Sequence, residues 1–250
     1  MRVLTLLGGV VCMLATLVGC AGSPAGAVNA KAPKGTGFSV CDLTLGDGTK
    51  TKYSLFVPYS YKPGTPTRAI VFLHGIGEGG SNGVKNTTVG LGPAIGSDPE
   101  AWPVIAVFPQ TSSGKWKSEH DQSIAIAALD DASKRVSIDP KRVALTGLST
   151  GGEGVWRIAA SYPSRFDRLA PMAAYEADDI IDKLPRVPIW AVHCPVDIFV
   201  SYSGSKSMVN KINERGGNAR LSDWGGSLNP HNCWDKAYSD AEFRSWIQGR

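Results

Sequence analysis

The chain has 250 residues, 42% of them apolar, and a formal net charge of +4. That length can bury one substantial core, and α/β domains of this size are commonly single. So mild a charge gives no support to a nucleic-acid or polyanionic partner, and no repeat, heptad or low-complexity tract interrupts the sequence.

Met1-Arg2 makes a short positive start, and Val3 to Val18 is nearly all apolar but too short and poorly flanked to span a membrane. Residues 1–19 therefore read as a signal peptide. They run into Leu17-Val18-Gly19-Cys20, similar to the bacterial lipobox, whose cysteine is lipidated and begins the mature protein. Cleavage after Ala25-Gly26-Ala27 is the ordinary alternative. Either route implies export: a bacterial envelope protein anchored in the membrane only through a lipid at Cys20, or else a secreted or periplasmic one. Residues 20–36, rich in Ala, Gly, Pro and Lys, read as a flexible tether to a domain over 37–250. Export also places Cys41, Cys194 and Cys233 in an oxidising compartment. An odd set leaves at least one thiol unpaired or joined to another chain.

Within the domain, Phe38 to Leu45 and Lys52 to Val57 flank Gly46-Asp47-Gly48, a hairpin signal. Short continuous apolar runs follow at Ala69–Leu73, Val104–Phe108, Val143–Leu145 and Ile189–Val192, with Leu169–Met172 weaker; such runs suit strands buried on both faces. Between them lie helical patterns: Ile124, Ala128, Ala132 and Val136 on one stripe, then Gly151–Ala160 and Ser203–Arg215. Ser239 with Glu242 predicts a capping box for a closing helix. Strand-helix alternation predicts an α/β fold with a mainly parallel twisted sheet covered on both faces, its loops of interest at the strands' carboxyl ends.

The sequence offers G-x-S-x-G twice. Ser81 has no strand before it and a poor helix start after it, so it reads as a loop residue. Ser149, in Val143-Ala144-Leu145-Thr146-Gly147-Leu148-Ser149-Thr150-Gly151-Gly152, has both neighbours of a nucleophile elbow: a strand running in and a small-residue helix running out. Its hydroxyl needs a base. In an elbow fold the triad order is Ser, then Asp or Glu, then His, and of four histidines that order selects His231, late in the chain in an irregular loop. The acid is expected a few residues beyond the buried strand Ile189–Val192, at Asp197; Asp178 and Asp179 are the alternatives. Two backbone donors are expected for an oxyanion: the N–H of Thr150 and that of Ile76 in His74-Gly75-Ile76-Gly77-Glu78-Gly79-Gly80.

Five stretches carry a family resemblance: Leu73–Gly79, Pro109-Gln110 with Gly114-Lys115-Trp116, Thr146–Trp156, Pro188–Asp197, and His231-Asn232-Cys233-Trp234 with Ala237-Tyr238. Spread over residues 69–247, they resemble the α/β-hydrolase esterases often labelled predicted peptidases or phospholipase/carboxylesterase-like, relatives of feruloyl esterases and polyhydroxybutyrate depolymerases. The resemblance implies an α/β-hydrolase fold and the assignments Ser149, Asp197, His231, Ile76 and Thr150; no long insertion separates Leu169–Met172 from Pro188, which predicts the absence of a large lid. The chain departs from the family at Cys194, where Gly is usual, and at Thr150, where Met is common and only the N–H is needed. If Asp197 meets His231, Cys194 and Cys233 lie on adjoining loops, which suggests a disulfide between them and a buried free thiol at Cys41. Trp116, Tyr175 and Trp234 fall where the family places the cleft and are candidate walls for a substrate. The expected activity is hydrolysis of small or polymer-linked carboxylic esters through an acyl-enzyme, without cofactor or metal. Acyl transfer, peptidase activity, or a non-catalytic ligand-binding lipoprotein are the rival readings.

Overall fold

The structure, a computed structural model, describes residues 34–225 and 229–250. The signal peptide, Cys20 and most of the tether lie outside them. The first two strands, β1 (Gly37–Thr44) and β2 (Lys50–Val57), form the expected hairpin, paired from Thr44↔Lys50 to Gly37↔Val57. Next come β3 (Thr67–Leu73), α1 (Leu91–Ser97), β4 (Ile105–Pro109), α2 (Glu119–Arg135), β5 (Ile138–Leu148) and α3 (Thr150–Ser161). After these follow β6 (Arg168–Met172), β7 (Ile189–His193), α4 (Tyr202–Glu214), β8 (Ala219–Asp223), α5 (Trp234–Ser239) and α6 (Ala241–Ile247).

The described strands make one sheet in the order β1-β2-β4-β3-β5-β6-β7-β8. From β4 onward across the sheet all pairings are parallel, while β1 and β2 close one side antiparallel. Pleating divides each central strand between two cores. Ala69, Val71 and Leu73 of β3 pack with Ile124 and Leu129 of α2, Val155 of α3 and Met208 of α4. Ile70 and Phe72 face the other way, onto Leu91 of α1, Trp234 of α5 and Phe243 of α6. With helices on both faces, a site open to solvent has to form at the sheet's ends.

Besides the short helix α5, two elements escaped the sequence pattern. The edge strand β8, Ala-Arg-Leu-Ser-Asp, has no fully buried residue and so no apolar run to betray it. Helix α1 carries two glycines and a proline in seven residues, a composition that argues against helix; Leu91 and Ile95, both fully buried, hold it in place. The closing helix is also capped differently. Ser239 ends α5, and Asp240 is the N-cap of α6, its Oδ1 accepting from the Glu242 and Phe243 N–H groups at 3.0 Å each. A carboxylate there serves two donors at once, and the chain turns a residue later than a Ser239 box requires.

Candidate active site

The path β3→α1→β4 leads outward to one side, and α2 then carries the chain back across to β5 on the other side of β3. The crevice at such a reversal is where open α/β sheets bind ligands. The elbow sits there. β5 runs straight into Ser149, whose backbone (φ 55, ψ −119) lies in a region costing about 1–3 kcal/mol for a residue with a side chain. Among the described non-glycine residues only Ser149 and Ala173 have positive φ. Close approach of α3 to the end of β3 enforces the turn: a Cβ on Gly151 would meet Leu73 O at 2.2 Å, and one on Gly147 would meet Gly151 O at 2.5 Å. The Ser149 N–H donates to Met172 O at 2.9 Å. Thr150 opens α3, so its N–H has no acceptor within the helix.

The pairing Leu73↔Gly147 sets His74-Gly75-Ile76 beside Leu148 and Ser149. Ile76 begins a single 3₁₀ turn, Ile76–Glu78, and its N–H also lacks a partner within that turn. A dense set of hydrogen bonds holds this loop. His74 Nδ1 lies 2.7 Å from Gly75 O, the Thr111 N–H donates to His74 Nε2 at 3.2 Å, and the Trp116 indole donates to His74 O at 3.0 Å. Because Nε2 accepts, Nδ1 must carry the proton. Burial pushes His74 down to about 4, against the opposing bond to Gly75, so the ring stays neutral. On the other side, the Gly75 N–H donates to Glu78 Oε2 at 3.1 Å.

Asp197 and His231 come together at the carboxyl ends of the strands. Asp197 lies in the tight turn after β7, its N–H bonded to Cys194 O, with its side chain fully buried. Its Oδ1 accepts from Phe199 N–H at 2.8 Å and Val200 N–H at 3.0 Å, and His231 Nδ1 sits 2.6 Å from Oδ2. Burial alone would raise this carboxyl; the bonds from His231, Val200 and Phe199 outweigh it and hold the pKa below the usual carboxylate range. The His231 ring lies between Phe199 (centroids 5.4 Å) and an edge-on Trp234 (5.2 Å). The base loop is stitched toward the elbow: Cys233 Sγ donates to Val192 O at 3.5 Å, and Ala173, next to the acceptor Met172 of Ser149, donates to the same carbonyl at 2.9 Å. Asp178 and Asp179 lie elsewhere, the latter bonded to Arg157.

No family model and no curated protein matches the sequence. Solved structures do match. A thermostable esterase superposes with a TM-score of 0.75 at 24% identity, over 84% of this chain and 62% of the esterase, so this chain spans about six-tenths of that protein's length. The Staphylococcus aureus fluorophosphonate-binding serine hydrolase FphF matches with a TM-score of 0.63 at 14% identity, over 86% of this chain and all (100%) of that one. A ferulic acid esterase matches with a TM-score of 0.62 at 15% identity, over 84% and 98%.

This chain has the α/β-hydrolase fold.

Around the site of this α/β-hydrolase fold, two expectations are corrected. Cys194 and Cys233 are not bridged: Cys41, Cys194 and Cys233 are all buried free thiols. Cys233 turns its sulfur to Val192 O, while Cys194 Sγ packs against the bare backbone of Gly225, where a Cβ would lie 2.1 Å away. Trp116, expected to wall a cleft, is only 1% exposed and spends its N–H on His74, so it braces the loop from behind. Tyr175, by contrast, is 41% exposed on the loop after β6. Trp234, itself buried, lines with Asn229 and Asn232 a cavity of about 690 Å³ between α1 and α5 whose lining includes neither Ser149 nor His231. Among the described residues no group of three or more His, Cys, Asp or Glu side chains could hold a metal ion, and no helix is long and apolar enough to cross a membrane.

Proposed function

We propose that this protein is a serine hydrolase of carboxylic esters, with Ser149 as nucleophile, His231 as general base and Asp197 as its orienting acid. The observation that carries the reading is the strained backbone of Ser149 at the mouth of β5, combined with the 2.6 Å contact between Asp197 and His231 on neighbouring loops. Strain at this half-buried serine has no packing benefit and is retained where the geometry of reaction needs it.

In this mechanism His231 takes the Ser149 proton as Oγ attacks the ester carbonyl. The oxyanion is held by the N–H groups of Ile76 and Thr150, the alcohol leaves with the proton from His231, and water then frees the acid by the same steps. Asp197 keeps the proton of neutral His231 on Nδ1, leaving Nε2 to act as base. Tyr175 and Trp234 are the proposed walls for the substrate. Export, with a lipid anchor at Cys20, is proposed on the leader sequence alone.

The test is labelling by a fluorophosphonate together with turnover of short aryl esters. Wild-type protein is expected to do both and Ser149→Ala neither, with turnover lost by several orders of magnitude. A Ser149→Ala variant that hydrolyses esters near the wild-type rate overturns the assignment. Product analysis with added acceptor alcohols separates hydrolysis from acyl transfer.

A further inference from the structure

Asp197 has a second histidine. His193, the last residue of β7, is fully buried, and its Nε2 lies 3.2 Å from Asp197 Oδ2, the same oxygen that meets His231. Nε2 also faces Val200 O at 3.1 Å, and Nδ1 lies 2.8 Å from Ser205 Oγ on α4. Neither a carboxylate nor a carbonyl can donate, so Nε2 must carry the ring proton. Burial, opposed by the bonds to Val200 and Asp197, lowers the pKa of His193, so the ring is neutral and its bare Nδ1 accepts from the Ser205 hydroxyl.

We propose that His193 is a positioning residue for the reaction: its single Nε2–H, oriented by Ser205 and shared between Val200 O at 3.1 Å and Asp197 Oδ2 at 3.2 Å, steadies the carboxylate and so sets the direction and the strength of its hold on His231. The proposal rests on the triad reading above. Two backbone N–H groups pin Oδ1, and without His193 only the His231 imidazole would hold Oδ2. A neutral donor at Oδ2 also shares its charge, so the carboxylate pulls less on the His231 proton than it would alone. The other groups facing this pair are Tyr202, edge-on to His193 at 5.8 Å, and the thiols of Cys194 and Cys233. Tyr202 and Cys233 are each pushed up to about 12, by the bond to Asp223 and by burial respectively, and so stay neutral between pH 5 and 8.

The experiment compares His193→Met, which has no donor, with His193→Gln, whose amide can still offer an N–H. Rates are normalised to active sites counted by fluorophosphonate. For His193→Met the acidic limb of kcat/KM should move to higher pH, and kcat should fall by about tenfold to a hundredfold, the scale of a misplaced catalytic group, with KM little changed. His193→Gln should restore most of both. A purely structural histidine would change the melting temperature and the number of active sites but leave the limb in place, and that result overturns the proposal. If His193→Met does not fold, Ser205→Ala decides, with a smaller shift in the same direction expected and an unmoved limb overturning the idea. An NMR titration of His231 reads the same displacement without substrate. A shifted titration in a protein that hydrolyses no ester would leave the His193 linkage standing and remove the esterase reading instead.

Discussion

The Thr150 hydroxyl donates to Gly114 O at 2.7 Å, tying the first residue of α3 to the loop that follows β4. Gly114 in turn lies so close to the Ile76 backbone that a Cβ there would come within 2.7 Å of Ile76 Cα. The two proposed oxyanion donors are therefore held by one shared loop, and Thr150 contributes its side chain as well as its N–H.

Thr150→Val keeps the branched shape and removes the hydrogen bond. Stability should fall by about 1 kcal/mol, measured by urea unfolding, and kcat should drop while KM changes little. An unchanged kcat would mean that the link does not align the donors.

Gly114→Ala should do more damage. The residue sits at φ 67 and an added methyl meets Ile76 O at 2.6 Å, so the loop carrying Ile76 has to move. Losing one oxyanion donor elsewhere costs about a hundredfold to a thousandfold in kcat. A loss of that size is expected in ester turnover, with fluorophosphonate labelling slowed as well.

Ser149→Gly and Ser149→Ala both lack the hydroxyl, yet their stabilities should differ. Glycine accepts φ 55 without a Cβ penalty, whereas alanine retains it. Even after the greater chain entropy of glycine when unfolded, Ser149→Gly should be the more stable variant by about 1 kcal/mol. Equal melting curves would show that the elbow is not strained.

His74 makes a pH prediction of definite sign. Its pKa is about 4 when folded against 6.5 ordinarily, so between those values the unfolded chain holds more protons. Stability from this group is complete above pH 6.5 and is lost as pH falls toward 4, by about 3 kcal/mol in all. His74→Gln should be less stable at neutral pH but show a flatter dependence across that window. Parallel curves from urea melts at several pH values would refute it.

The buried, unbridged thiols predict chemistry too. Burial pushes Cys233 up to about 12, so it carries almost no thiolate at pH 8. Native protein should resist alkylation at Cys41, Cys194 and Cys233, all three should react after unfolding, and reductant should leave the melting temperature unchanged. Recovery of a Cys194–Cys233 peptide would contradict this.

The core strands were legible because each is a short apolar run buried on both faces, and the elbow because glycines flanking Ser149 leave a composition that few other turns need. Chain order picked out His231 and the end of a buried strand picked out Asp197 over Asp178 and Asp179, and the two side chains do meet. Local sequence could not announce β8 or α1, whose formation depends on a neighbouring strand and on buried Leu91 and Ile95 rather than on their own propensity. Nor could it show what Thr150, His74 and Trp116 do, since each acts through a partner distant in the chain: Gly114, Thr111 and His74. His193 lies only four residues before Asp197, but the two meet because the turn closed at Val200 folds back. Periodicity and turn chemistry are properties of neighbours in sequence. Hydrogen-bond direction, the burial of a thiol and the tautomer of a ring depend on what folding brings alongside, and only the tertiary structure decides them.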